Sequence, residues 1–284
     1  MICITSIQEL RQQISQERRK SYSIGFVPTM GALHSGHLSL IKEAKKQNNI
    51  CIASIFVNPL QFNNIEDFNK YPIQNEQDMQ LLEQAGCDIV FMPTVAEFYP
   101  TQPKLKIDIG PLDRILEGEH RPGHFSGVAI VVSKLFNVVL ADKAYFGQKD
   151  LQQVAVIKQL VSELNFPIEI IACPIIREEN GLAMSSRNIR LSPAGKEIAS
   201  NLYKCLCTVE KSIKSSADCS IPAAKKNGTD FLNQFEGIQV EYLEIVEAGT
   251  LEAITDLKPE SEIAICIAAY VEGVRLIDNL VIIL

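Results

Sequence analysis

Short apolar runs alternate with amphipathic runs in the N-terminal third of the chain, and this alternation restricts the fold more than any other feature. The runs Ser23–Val27, Ile50–Val57 and Asp88–Met92 are rich in β-branched or aromatic residues and are bounded by turn residues, as buried strands are. The segments Leu38–Gln47 and Asn75–Ala85 between them repeat apolar residues at helical spacing. This order predicts a parallel sheet with right-handed crossovers, and therefore an α/β fold.

The alternation continues to residue 176 and then changes. Val128–Ala141 predicts a buried helix, and the runs Lys143–Phe146, Gln152–Leu164 and Ile168–Cys173 predict a strand, a helix and a strand. We therefore expect a Rossmann-like domain over residues 1–176.

The last third of the chain has a different pattern. A polar loop (Arg177–Arg190) and an amphipathic helix (Pro193–Ser212) are followed by a polar stretch, Ser215–Thr229, and a short helical segment, Asp230–Phe235. Three β-rich runs follow at Ile238–Val246, Ile263–Val271 and Gly273–Ile283. Residues 177–284 thus predict a smaller α+β domain with an antiparallel sheet.

The charge of the chain is unevenly distributed. The 284 residues carry a formal net charge of −7, but ten acidic and only two basic side chains lie in residues 236–284, so the rest is close to neutral. This balance argues against a basic surface that coats nucleic acid and allows a local phosphate site. With no apolar run of membrane-spanning length, no secretory signal and no Cys-x-x-Cys pair, we expect a reduced cytoplasmic protein without a membrane partner.

The string PTMGALHSGH, residues 28–37, connects the first predicted strand to the first predicted helix. Loops at the carboxyl ends of parallel strands bind ligands in α/β sheets, and a helix N-terminus offers N–H groups to phosphate. His34 and His37 lie three residues apart and share one helix face, where imidazoles suit phosphate oxygens. A nucleotide contact and a plain helix cap fit this spacing equally well, whereas a metal site needs further ligands. A Rossmann dehydrogenase is disfavoured because the turn lacks G-x-G-x-x-G.

These residues resemble a known motif. His-x-Gly-His at a strand-to-helix turn is similar to the HIGH motif of the nucleotidylyltransferase superfamily, and residues 25–37 resemble one family within it, the pantothenate synthetases (pantoate–β-alanine ligases). Further motifs follow in the order of that family as far as residue 188. The resemblance implies that five residues of this turn contact ATP: Met30, Gly31, His34, Gly36 and His37.

Two motifs concern the organic substrates. Residues 57–62 (VNPLQF) contain neutral amides at a predicted strand end, and residues 116–125 (LEGEHRPGHF) form a polar segment. By themselves they indicate turn chemistry and a loop, either over a site or simply solvated. The resemblance implies that Gln61 contacts pantoate and β-alanine, that Asn58 orients substrate, and that Arg121 shapes the pantoate pocket beside a dimer interface.

A second strand-to-helix turn, YFGQKDLQQ, covers residues 145–153. Alone, it fits a capped helix with a surface lysine. The resemblance implies that Gly147 and Lys149 contact ATP, with Lys149 on its phosphates, that Asp150 contacts the ribose, and that Gln153 contacts pantoate.

The polar string GLAMSSRN, residues 181–188, offers two hydroxyls and a guanidinium to anionic oxygens, although a plain loop is the simpler interpretation of the string alone. It resembles in role the KMSKS loop of aminoacyl-tRNA synthetases, which implies closure over the triphosphate and a C-terminal domain that acts as a lid. The implied ATP contacts here are Ile176, Met184, Ser185, Ser186 and Arg187.

Residues 71–78 (YPIQNEQD) match the family less well, because Ile73 stands where the family usually has arginine. The resemblance implies that acidic residues on the following helix help to bind Mg²⁺, and Asp78 matches the most regular of them. From the sequence alone, a first-turn helix acid is the better interpretation of Asp78.

The implied activity is the ATP-dependent condensation of pantoate with β-alanine through a pantoyl adenylate, releasing AMP and pyrophosphate, by a homodimeric ligase. Its implied catalytic residues are His34, His37, Lys149, Ser185, Ser186 and Arg187, with His37 as a candidate proton donor. Two alternatives stay open, another HIGH-motif nucleotidylyltransferase acting on a small molecule and a non-catalytic nucleotide-binding module.

Overall fold

A computed structural model describes residues 1–62, 68–69, 71–215 and 219–284 of the chain. The chain divides into two compact units, one comprising residues 1–147 and 152–173 and the other residues 148–151 and 174–284. The domains predicted from the sequence, 1–176 and 177–284, stay a prediction, because compactness alone does not show that either part folds independently.

The first unit is built on a six-stranded sheet in the order β1-β4-β3-β2-β5-β6, and all its strand pairs are parallel. Its strands are β1 (Ile2–Ile4), β2 (Ile24–Thr29), β3 (Ile50–Ile55), β4 (Ile89–Phe91), β5 (Lys143–Gly147) and β6 (Glu169–Cys173). The inner strands β2 and β3 are almost wholly buried, which explains why they are apolar runs without alternation.

Seven α-helices connect or flank these strands in the described part of the first unit. They are α1 (Ile7–Arg19), α2 (Ser35–Gln47), α3 (Asn75–Gln84), α4 (Val95–Phe98), α5 (Glu117–His120), α6 (His124–Val139) and α7 (Leu151–Glu163). Helices α2 and α3 contribute apolar side chains to one core together with strands β2, β3 and β4. Short 3-10 turns lie at Pro59–Gln61 and Gly110–Asp113.

The strand order places a switch point between β2 and β5. From β2 the chain crosses to β3 on one side, whereas from β5 it crosses to β6 on the other side. Loops that leave neighbouring strands in opposite directions open a crevice at the carboxyl edge of the sheet, where α/β proteins bind ligands. The PTMGALHSGH string leaves β2 at this edge, and Gly147 ends β5 there.

In its described residues, the second unit is an antiparallel sheet, β7-β8-β9, covered by two helices. Its elements are the 3-10 turns Gln148–Asp150 and Ser186–Arg190, helices α8 (Pro193–Ser215) and α9 (Ile221–Leu232), and strands β7 (Ile238–Glu247), β8 (Glu262–Val271) and β9 (Val274–Ile283). The central strand β8 is buried over most of its length, and its apolar side chains form one core with those of α8 and α9.

The α/β fold with a parallel sheet and a smaller antiparallel C-terminal sheet confirms the predicted fold class. Two expectations were wrong. Helix α9 begins inside the stretch interpreted as polar, and α5 and α6 replace most of the loop predicted over residues 116–125. Strand β1 and helix α1 are additional elements in a segment for which the sequence patterns gave no prediction. Helix α9 starts after the N-cap Ser220, and Pro222 in its first turn is tolerated because no N–H bond is lost there.

No helix in the ranges that the structure describes is long and apolar enough to cross a membrane.

The core of the second unit supplies a stability test. Ile267 on β8 is fully buried, so Ile267→Ala removes packed methyl groups and is expected to cost about 2–5 kcal/mol of unfolding free energy. Ile283 on β9 is 66% exposed, and Ile283→Ala is expected to cost less than about 1 kcal/mol. Urea denaturation followed by circular dichroism measures both, and equal costs would contradict the assigned core.

Candidate active site

The turn after β2 is held by hydrogen bonds to a neighbouring strand. Thr29 is buried, and its hydroxyl donates to the carbonyl oxygen of Ser54 on β3 at 2.7 Å. The same hydroxyl oxygen accepts from the N–H of Gly31 at 3.2 Å. The first residues after β2 are therefore held against β3 by hydrogen bonds through the Thr29 side chain.

A buried carboxylate fixes the next step of the turn. Asp78, in the first turn of α3, is completely buried, and its Oδ2 and Oδ1 accept from the N–H groups of Ala32 and Leu33, both at 2.8 Å. Gly31 has φ +82°, and a Cβ there would lie 2.9 Å from Oδ2 of Asp78, so only glycine fits. Ala32 has φ +50°, a backbone conformation that is unfavourable for any residue other than glycine. The two hydrogen bonds to Asp78 help to stabilise it.

His34 and His37 cap helix α2 with their side chains. Nδ1 of His34 accepts from the N–H of Gly36 at 3.1 Å, and Nδ1 of His37 accepts from the N–H of His34 at 3.3 Å. The ring centroids are 4.1 Å apart. A ring nitrogen that accepts carries no proton, so each neutral ring carries its proton on Nε2, across the ring from the turn. Both imidazoles are thereby oriented as Nε2–H donors.

The turn after β3 is organised by Asn58, which is buried. Its amide group donates to Oε1 of Gln61 at 3.1 Å and to the carbonyl oxygen of Gly127 at 3.2 Å. Its Oδ1 accepts from the hydroxyl of Tyr99 at 3.0 Å and from the N–H of Leu60 at 3.3 Å. Burial raises the pKa of Tyr99, which keeps the phenol protonated as a donor. Asn58 is thus occupied with protein partners on every side.

Gln61 connects this turn to the first one. Its Nε2 lies 3.0 Å from Sδ of Met30, and its side chain is buried except for 8%. The structure therefore brings two of the predicted contact residues, one implied for nucleotide and one for pantoate, into direct contact within the first unit.

Helix α6 packs closely against the turn. A Cβ on Gly127 would lie 2.3 Å from the carbonyl oxygen of Leu60, so this position also requires glycine. Nδ1 of the buried His124 lies 2.9 Å from the carbonyl oxygen of Gln61, and its Nε2 lies 3.2 Å from the Arg121 guanidinium. A carbonyl oxygen can only accept and a guanidinium can only donate, so Nδ1 carries the proton and Nε2 carries none. Nε2 of His124 therefore accepts a hydrogen bond from Arg121 and orients its guanidinium.

Gln152 is a residue that the sequence interpretation missed. It is buried, its Nε2 donates to the carbonyl oxygens of Leu112 at 2.6 Å and Ile115 at 2.8 Å, and its Oε1 accepts from the N–H of Glu117 at 2.8 Å. It fixes the segment before α5 to the start of α7. The neighbouring Gln153, predicted as a pantoate contact, is half-buried. Only tertiary partners distinguish these two adjacent glutamines.

The second unit carries the remaining predicted contacts. Nζ of Lys149 lies 3.3 Å from Oδ1 of Asp150, and both residues belong to the 3-10 turn at Gln148–Asp150. In the loop, the N–H of Met184 donates to the carbonyl oxygen of Ile176 at 2.9 Å. The side chain of Ser185 accepts from the N–H of Arg187 at 3.2 Å, which caps the turn containing Ser186.

Asn188 anchors that loop and was not singled out from the sequence. Its side chain is buried and donates to Oε1 of Glu178 at 2.8 Å and to the carbonyl oxygen of Ala183 at 3.1 Å. The string that resembles the family motif is therefore a folded loop with an internal anchor.

The predicted site residues are divided between the two units. The first unit carries Met30, Gly31, His34, Gly36, His37, Asn58, Gln61, Asp78, Arg121, Gly147 and Gln153, and the second carries Lys149, Asp150, Ile176, Met184, Ser185, Ser186 and Arg187. The role of each residue towards a ligand stays a prediction.

A protein-held metal finds little support in this arrangement. Among the described residues, no group of three or more His, Cys, Asp or Glu side chains is placed to hold a metal ion. Both oxygens of Asp78 accept backbone N–H bonds, so a metal ion would have to compete with these bonds. The role of Asp78 as a magnesium ligand stays a prediction.

The bonds of Asp78 give a test without any ligand. Asp78→Asn replaces one acceptor by an NH₂ group facing a backbone N–H, and it is expected to cost about 1.5–3 kcal/mol of unfolding free energy. The exposed Glu76→Gln on the same helix turn is the matched control, expected within about 0.5 kcal/mol of the parent protein. Urea denaturation in excess EDTA measures both. An Asp78→Asn protein of unchanged stability would show that the carboxylate does not hold the turn.

Comparisons with known proteins agree with the geometry. The family model described as pantoate-beta-alanine ligase matches residues 2–281. A pantothenate synthetase of Cytophaga hutchinsonii is 71% identical over 284 residues, covering 100% of both chains. A crystal structure of pantothenate synthetase from Thermus thermophilus has a TM-score of 0.90 and 41% identity, covering 99% of both chains.

One further structure was determined with ligands. It is the pantoate-beta-alanine ligase from Francisella tularensis, complexed with beta-gamma ATP and β-alanine, with a TM-score of 0.80 and 38% identity over 99% of this chain and 97% of that one. The family predicted from the motifs is thereby confirmed, and this chain belongs to the pantoate–β-alanine ligase family.

Proposed function

We propose that this chain joins pantoate to β-alanine at the expense of ATP, through an enzyme-bound pantoyl adenylate. The observation that carries the proposal is the capped histidine pair, whose Nδ1 atoms are held by backbone N–H groups at the carboxyl edge of the sheet. That arrangement directs two Nε2–H donors to the sheet edge where α/β proteins bind ligands. Membership of the ligase family supplies the identity of the substrates.

The first step is adenylation. A carboxylate oxygen of pantoate attacks the α-phosphorus of ATP, the bond from this phosphorus to the bridging oxygen breaks, and pyrophosphate leaves with the electron pair. Negative charge grows on the leaving phosphates, and Nε2–H donors of His34 and His37 stabilise it. Lys149 and the Ser185–Arg187 segment add further donors. No covalent enzyme intermediate is needed, so positioned donors supply most of the rate enhancement.

The fixed tautomers sharpen the role of His37. Protonation of its ring would place a proton on Nδ1, which accepts from the N–H of His34, and would break the cap. With Nδ1 engaged as an acceptor, the ring acts on substrate as a hydrogen-bond donor through Nε2, a more specific role than that of a general proton donor.

The second step forms the amide. The neutral amine of β-alanine attacks the carbonyl carbon of the adenylate, one amine proton is released, and AMP leaves. In this scheme, Gln61 and Asn58 lie at the border of the pantoate and β-alanine site, and Arg121 and Gln153 lie at its pantoate end. The contacts of Asn58 with its own turn support an indirect role, in which it positions Gln61.

Several broader features belong to the same proposal. Mg²⁺ accompanies ATP and is bound chiefly by its phosphates and water, because the part of the chain that the structure describes places no group of three or more His, Cys, Asp or Glu side chains to hold a metal ion. The C-terminal unit acts as a lid that excludes water from the adenylate. The protein works as a homodimer in the cytoplasm.

A single-turnover experiment tests the reaction. Enzyme in excess over ATP is mixed with pantoate and without β-alanine, and the nucleotide products are separated. Pyrophosphate and a bound pantoyl adenylate are expected, and later addition of β-alanine should convert the adenylate to an amide and AMP. ADP with inorganic phosphate would contradict the proposal. A final product that retains AMP would favour another nucleotidylyltransferase.

Substitutions at His37 test which ring nitrogen acts on substrate. His37→Asn retains an acceptor near Nδ1 and loses the Nε2–H donor, so turnover is expected to fall by about 10²–10³-fold with the fold intact. His37→Gln, which places an amide N–H near Nε2, is expected to retain more activity than His37→Asn. Steady-state kinetics and thermal melting measure the outcome, and the reverse order of activities would contradict the tautomer assignment.

A further inference from the structure

Strand β9 holds the backbone of the lysine turn. Asn279, 3% exposed, donates from Nδ2 to the carbonyl oxygen of Gln148 at 2.9 Å and to that of Lys149 at 3.0 Å. Nε2 of Gln148 lies 3.5 Å from Oδ1 of Asn279. Both amide hydrogens of the buried Asn279 side chain therefore bind the backbone of the turn that carries Lys149.

The residue before it holds the other phosphate-binding segment. Asp278, 5% exposed, forms a bidentate ion pair with Arg177, whose two terminal guanidinium nitrogens donate to Oδ2 at 2.6 Å and to Oδ1 at 3.0 Å. Burial raises the pKa of Asp278, while the Arg177 guanidinium acts in the opposite direction. Arg177 also donates to the carbonyl oxygen of Gly181 at 3.1 Å and lies 3.7 Å from the ring centre of Tyr203.

The two neighbours are themselves connected. The backbone N–H of Asn279 donates to Oδ1 of Asp278 at 2.8 Å, and Arg177 forms a β-bridge with Ala183, next to the Met184–Arg187 string. One point on β9 thus contacts both segments of the second unit that carry predicted phosphate contacts. No motif in the sequence singles out this Asp-Asn pair.

We propose that Asn279 is a positioning residue that fixes Lys149 for phosphate binding. The Asp278–Arg177 ion pair holds Asn279 and the 177–188 loop in a fixed position relative to each other. The inference rests on the proposed function for the identity of the phosphate ligand, ATP. Its physical basis is preorganisation, because a lysine side chain on an unanchored turn loses more conformational freedom on binding.

A double-mutant cycle tests the inference. The parent, Asn279→Ala, Lys149→Ala and the double variant are compared by ATP dissociation constant, from calorimetry, and by kcat/KM for ATP. Asn279→Ala alone is expected to lower kcat/KM by about 10- to 100-fold. In the Lys149→Ala background the same change is expected to cost less than about threefold, because its effect passes through Lys149.

Asn201→Ala is the matched control. Asn201 is also a buried asparagine of the second unit that donates to two backbone carbonyls, those of Glu197 and Ile198, but both lie in its own helix. Its removal is expected to leave kcat/KM and the ATP dissociation constant within about twofold of the parent. A general loss of folded protein would lower the number of binding sites in both variants without changing the dissociation constant.

The outcomes separate the inference from the proposed function. Unchanged ATP affinity in Asn279→Ala, or a cost that multiplies in full with that of Lys149→Ala, would overturn the positioning role. A parent protein that binds ATP but releases no pyrophosphate with pantoate would overturn the proposed function, and the affinity cycle would still decide the inference. A parent that binds no ATP would contradict both.

Discussion

The buried carboxylate of Asp78 is the interaction on which the candidate site depends. The chain leaves β2 through Gly31 and Ala32, both with positive φ, which is an unfavourable path for any residue but glycine. Two bonds at 2.8 Å to the Asp78 carboxylate stabilise this path and set the direction in which helix α2 begins. Without that direction the two imidazoles could not cap the helix and present their Nε2 atoms together.

The same physical device recurs in the other loops. Buried polar side chains hydrogen-bond to the backbone of a loop or turn beside predicted ligand contacts at four places, Asn58, Gln152, Asn188 and Asn279. A buried amide group is costly without partners, so these bonds offset the cost of burial and fix the loops at the same time. A reaction that relies on positioned donors needs such fixed loops, because a small displacement of a donor lowers the rate steeply.

The fold could be predicted to a large extent because most strands and helices of the parallel sheet domain produce a recognisable local pattern of apolar residues. Runs such as Ile50–Val57 are short, apolar and flanked by turns, and their order predicts the topology. Strand β1 has only three residues, too few for a pattern, and Pro222 obscured helix α9. The motifs located His34 and Lys149, but not Gln152 or Asn279, whose importance arises from partners distant in sequence.

The central claim is that pantoate is activated as an acyl adenylate by donors that the fold holds in place. The most direct measurement is oxygen transfer from pantoate carrying ¹⁸O in its carboxylate, with the AMP product examined by mass spectrometry after complete turnover with β-alanine. The account predicts one ¹⁸O atom in AMP, because the carboxylate oxygen that attacks the α-phosphorus stays on that phosphorus. AMP without ¹⁸O, or ¹⁸O in inorganic phosphate formed beside ADP, would contradict it.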